Sequence, residues 1–144
     1  MAASQLTASL AVGLICYGII TPLAEELIFR GVVYNELKKS YKLSMAMLVT
    51  SLLFGLYHMN PIQGTYGFIM GLLIVYLYEY FGSFLWPVLV HMLANSIAYL
   101  LRYTDITDTF LYSWPAAIVL CMLTIAGIWL LDLDKKKLKG PVVE

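Results

Sequence analysis

Six polar residues of this chain lie inside otherwise apolar stretches: Glu25, Glu26 and Arg30 in one, His58 in a second, and His91 with Asn95 in a third. A seventh, Glu79, sits near the end of an apolar run. Carboxylates, two imidazoles and an amide shielded from bulk water suit hydrolysis. A carboxylate acts as general base, a neighbouring imidazole helps to orient and deprotonate a water, and polar groups on a facing element stabilise the oxyanion. The same atoms could instead serve as N/O ligands of a divalent metal such as Zn²⁺ with an open position for water. Spacing leaves both routes open, because there is no His-Glu-x-x-His run and the groups come from separate segments.

Helical geometry divides the first group. Glu26 and Arg30, at i and i+4, share a face in the favourable order of charges, whereas Glu25 points about 100° away from Glu26. Glu26 and Arg30 are therefore expected to form a self-neutralising support pair, with Glu25 free to face a cavity. His91 and Asn95, again at i and i+4, are expected to share a face. A purely structural ion cluster, or polar glue between helices, is the competing reading of each group. Ser51, Thr50 and Ser96 lie in no nucleophile-elbow context, and neither Cys16 nor Cys121 is near a histidine in sequence. Both cysteines read as buried small hydrophobes.

These residues need elements to hold them, and composition names the kind. Of 144 residues 61% are hydrophobic and 12% charged, against roughly 25% charged in soluble domains. The expected class is an all-α polytopic transmembrane bundle. A charge at the bilayer centre costs about 2.5–3.5 kcal/mol, so three in six residues need partners, water or a chemical task. Nine basic and nine acidic residues give no net charge and no footprint for nucleic acid.

Apolar segments at 5–37, 43–59, 65–81, 84–101 and 111–131 predict about five membrane helices. The first, at about 1.5 Å per residue, exceeds a hydrocarbon core of about 30 Å and must tilt or bend, with Gly18 and Pro22 the obvious places. The N-terminus lacks a basic region and a cleavage site, so the chain inserts through its own spans. Lys38, Lys39 and Lys42 in the first loop and Lys135, Lys136, Lys137 and Lys139 in the 132–144 tail fall on one side, which the positive-inside rule makes cytoplasmic, with the N-terminus outside. Short loops and no repeat predict one membrane domain over 1–144. Gly67 and Gly71 are expected to mark close helix packing.

Counting from the cytoplasmic helix ends puts Glu25 about 18 Å deep, His58 about 22 Å, Asn95 about 16 Å and His91 about 10 Å. Groups from three helices converge on one band. An ion or proton relay would instead space them across the bilayer.

In this order, Glu25-Glu26-x-x-x-Arg30, Phe54-x-x-x-His58 and His91-x-x-x-Asn95, with Phe29-Arg30-Gly31 in the first and Gly82-Ser83-Phe84-Leu85-Trp86-Pro87 before the third, resemble the CAAX protease and bacteriocin-processing family of intramembrane proteases. That family is also called the abortive-infection or CAAX prenyl protease 2-like family. The resemblance covers 15–100, leaving the 111–131 segment and the tail outside the motifs. It implies an intramembrane endopeptidase in which Glu25 and His58 activate water, His91 and Asn95 form the oxyanion site, and Glu26 and Arg30 support them. It allows a metalloprotease with Glu25, His58 and His91 as ligands, or a metal-free glutamate mechanism. Implied partners are the lipid bilayer and a peptide or membrane-protein substrate; the small size of the chain suggests a bacterial plasma membrane. The chain starts within the helix of the first motif, where family members carry further helices, so it reads as a minimal version or a fragment. The alternative function is a non-catalytic immunity or partner-binding protein whose polar cluster is structural.

Overall fold

A computed structural model describes residues 10–103 of the chain. Among them are four helices: α1 (Leu10–Ser40), α2 (Leu43–Tyr57), α3 (Pro61–Phe81) and α4 (Leu85–Tyr103). The expected helix at 111–131, the lysine tail and Cys121 lie outside the described residues. By length and composition α1, α3 and α4 can cross a membrane. With 15 residues, α2 spans only about 22 Å and falls short of a full crossing.

α1 continues through Gly18 and Pro22, the places expected for a bend. Thr21 keeps right-handed helical angles (φ −60°, ψ −52°) although a proline follows it, and α1 runs unbroken past it. The chain absorbs Pro22 by widening. Turns with i→i+5 hydrogen bonds occupy Leu14–Ile20 and Leu27–Tyr34 on either side of the α-helical Thr21–Glu26. Such wide turns concentrate at functional sites, because they re-aim side chains without ending the helix.

The α2–α3 hairpin turns on three residues. His58 ends α2, Met59 adopts a left-handed φ of 55°, and extended Asn60 caps α3 by accepting from the N–H groups of Ile62 and Gln63 at 3.0 and 3.1 Å. Pro61 follows at the position where a missing N–H is harmless. This cap starts α3 four residues ahead of the expected 65, because Gln63, Gly64 and Thr65 are polar yet belong to the first turns. At the other end Gly82 closes α3 in the left-handed conformation (φ 62°).

The hairpin packs tightly near its turn. A Cβ on Gly55 would lie 2.6 Å from the Gly64 carbonyl oxygen. α4 packs against the Leu14–Glu26 part of α1, and α2 against Leu27–Tyr34, so Glu25–Arg30 lies where α1 passes from one neighbour to the other. The interior mixes apolar side chains, among them Phe29, Tyr34, Phe54, Ile74 and Val75, with polar ones. Glu25, Glu26, Arg30, Thr50, Ser51 and His91 are buried, while Ile15, Leu27, Val32, Leu56 and Leu93 are exposed. An apolar exterior fits lipid as the solvent, and it corrects one expectation. Cys16 is exposed, because in a membrane helix an apolar residue can face lipid as readily as a core.

Candidate active site

The support pair forms as helical spacing requires. Arg30 donates Nη1 to Glu26 Oε1 at 2.8 Å, with both side chains fully buried. Its Nη2 donates to the Gly71 carbonyl at 3.1 Å, and the guanidinium lies 4.8 Å from the Phe54 ring centroid. One arginine thus ties α1 to both helices of the hairpin.

Glu25 is not free. His91 donates Nδ1–H to Glu26 Oε1 at 2.7 Å, and its Nε2 lies 3.5 Å from Glu25 Oε2. Two carboxylates about 100° apart on α1 do share one partner, because an imidazole has nitrogens on two edges and enters between them from a facing helix. The Nδ1 bond to Glu26 sets the ring's orientation and turns Nε2 toward Glu25.

His58 arrives differently. Its Nδ1–H donates to the Phe54 carbonyl at 2.9 Å, which leaves Nε2 as the acceptor in the neutral ring. The His58 and His91 rings both stand nearly perpendicular to the Phe54 ring, at centroid distances of 5.1 and 5.5 Å. Glu25 interacts electrostatically with His91, His58, Glu26 and Arg30, so the five groups form one neighbourhood. Glu26 Oε2, Arg30 Nε and Thr50 Oγ1 are buried without a hydrogen-bond partner among the described residues.

Asn95 is engaged elsewhere than the i, i+4 pairing with His91 suggests. Its Nδ2 donates to the Tyr17 carbonyl on α1 at 3.4 Å. Glu79 stands apart, paired with Lys38 at 2.7 Å, and Lys38 lies over the rings of Tyr34 and Tyr78.

Phe54, Gly67 and Gly71 contribute more than the sequence reading assigned them. A Cβ on Gly67 would meet His58 Nδ1 at 2.9 Å, and one on Gly71 would meet Ser51 Cα at 3.1 Å and Phe54 Cδ1 at 3.4 Å. The two glycines are packing residues, and what packs on them is the site. Their four-residue spacing was the only available signal.

Among the described residues no three of His, Cys, Asp and Glu come together as a ligand group. Within the trio of Glu25, His58 and His91, each imidazole donates Nδ1–H to a protein acceptor, which leaves its Nε2 as the nitrogen that could hold a metal, and Nε2 of His91 faces Glu25.

A buried carboxylate pair gripping an imidazole, with a second imidazole nearby, can hold and deprotonate a water away from bulk solvent. No curated protein and no solved structure matched the chain. A family model described as type II CAAX prenyl endopeptidase Rce1-like matches residues 7–97. With apolar helices long enough to cross a bilayer and a buried acid–imidazole cluster, the chain is an integral membrane protein that belongs to this Rce1-like endopeptidase family.

Proposed function

We propose that the chain hydrolyses a peptide bond within the membrane, with Glu25 as the base that activates water. The observation that carries this reading is the approach of His91 Nε2 to Glu25 Oε2 at 3.5 Å, in a cluster whose charges are held by Glu26 and Arg30. A water at Glu25 loses its proton to the carboxylate as its oxygen attacks the carbonyl carbon. His58, whose neutral ring keeps Nε2 as an acceptor, helps to orient that water. The oxyanion that forms is met by N–H donors from α4, the Asn95 carboxamide and, in its protonated form, His91 Nε2. The proton then passes to the departing amine, and the carboxylate is restored.

The substrate class is a peptide or membrane protein presented from the bilayer. In a bacterial plasma membrane, with the lysine-rich ends cytoplasmic and the N-terminus outside, leader peptides, bacteriocins and membrane proteins are better candidates than prenylated proteins.

The test is comparative proteomics of cleavage products from cells carrying wild type, Glu25→Ala or His58→Ala at equal expression. Each variant should lose the wild-type products. Full cleavage by either one sinks the assignment and favours a structural cluster. Repeating the comparison with a chelator separates metal-assisted from metal-free hydrolysis.

A further inference from the structure

We propose that Pro22 is a positioning residue for Asn95, acting through the backbone carbonyl of Tyr17. Its consequence for catalysis rests on the hydrolytic reading above; the positioning itself does not.

Leu14–Ile20 of α1 is a stretch of wide turns. There N–H groups bond to carbonyls five residues back, and in that register the Thr21 N–H donates to the Cys16 carbonyl. The next carbonyl in that register belongs to Tyr17, and the residue five ahead of it is Pro22, which has no N–H. An unpaired carbonyl inside a membrane protein is costly, so it must find a donor outside its own helix. Asn95 Nδ2, 3.4 Å away on α4, supplies one.

This pairing decides which way the amide points. A carbonyl only accepts, so it selects the NH₂ end of the carboxamide and turns Oδ1 away. One N–H is spent on Tyr17, and the second keeps a defined direction. An oxyanion donor needs that property, because its contribution depends on being aimed before charge develops.

The surroundings hold the two partners together. Gly18, next to Tyr17, lets α4 come close, since a Cβ there would lie 2.5 Å from Ser96 Oγ. Tyr17 and Tyr99 stack with ring centroids 5.8 Å apart. The Tyr99 ring also lies directly on Gly13, where a Cβ would overlap it. Asn95 is thus flanked along α4 by contacts to the same stretch of α1, and its amide completes the set.

Pro22→Ala restores an N–H at the position that register assigns to the Tyr17 carbonyl, so the backbone competes with Asn95. Alanine is the best helix former, and the variant keeps its helix. The chain contains two Tyr-Gly peptide bonds, Tyr17–Gly18 and Tyr66–Gly67. Labelling with [1-¹³C]Tyr and [¹⁵N]Gly therefore isolates the Tyr17 carbonyl in one of two HNCO signals, the other being identified by its loss in Tyr66→Phe. With the full chain in lipid nanodiscs, Asn95→Ala should move the Tyr17 carbonyl resonance, and the same change in the Pro22→Ala background should leave it in place. An unmoved resonance in the Pro22 chain, or equal movement in both backgrounds, overturns the positioning.

In cleavage assays Pro22→Ala should lower kcat about fivefold, the equivalent of one neutral hydrogen bond, with KM unchanged and no further loss when combined with Asn95→Ala. An unchanged kcat, or an additive loss, overturns the link to catalysis. Failure of the wild-type chain to cleave any peptide overturns the hydrolytic reading instead, and the resonance comparison still decides the positioning.

Discussion

Arg30→Met removes the most connected cation of the interior and strands a charge. Arg30 and Glu26 are both fully buried, and Arg30 reaches Glu26 at 2.8 Å, the Gly71 carbonyl at 3.1 Å and the Phe54 face at 4.8 Å. Methionine keeps much of the volume and none of these contacts. Removing one partner of a buried pair costs about 3–5 kcal/mol, because the other charge stays desolvated. The lost cation–π contact adds up to about 2 kcal/mol, and His91 Nδ1, 2.7 Å from Glu26, offsets part of the total. The expected loss is about 4 kcal/mol, close to a thousandfold in the folding equilibrium. Glu26→Gln added to Arg30→Met removes the stranded charge and should bring stability back to within about 2 kcal/mol of wild type. Reversible unfolding in mixed detergent micelles, followed by circular dichroism, measures both variants. A double variant no more stable than Arg30→Met, or a single loss under about 1 kcal/mol, would refute the reasoning that a desolvated charge pair holds these helices together.

Gly71→Ala should destabilise the chain by about 1–3 kcal/mol in the same assay, since the new Cβ meets the Ser51 backbone 3.1 Å away and neither helix can yield cheaply. Gly67→Ala presses instead on the His58 ring, at 2.9 Å from Nδ1. A ring can move, so kcat should fall about tenfold, as expected when the group that orients the water is displaced, while the melting temperature changes little. Met59→Gly relieves a left-handed φ of 55° and should stabilise the hairpin by about 1 kcal/mol, read as a rise in the unfolding midpoint.

The class of the protein and its polar inventory were legible before any fold was known. Runs of apolar residues announce membrane helices, because a helix in lipid needs no other pattern, and charges within such runs stand out by their cost. The Glu26–Arg30 pair was legible too, since partners four residues apart on one helix meet whatever else the chain does. Contacts between helices were not. Helical spacing gave His91 an amide neighbour in Asn95 and left Glu25 free, yet His91 lies between Glu25 and Glu26 while Asn95 turns to Tyr17. Periodicity says which residues share a face, and packing alone says what that face meets.

By itself the sequence determined the membrane setting, the ordered motifs and the local pair, all of which depend on composition or on a few adjacent turns. The tertiary structure decided the rest. It passed α1 from α4 to α2 at Glu25–Arg30, absorbed Pro22 in wide turns, and let Gly67 and Gly71 bring the hairpin against His58 and Phe54. These outcomes depend on the approach of helices distant in sequence, where a missing N–H or a missing Cβ matters only once a neighbour arrives to use the space.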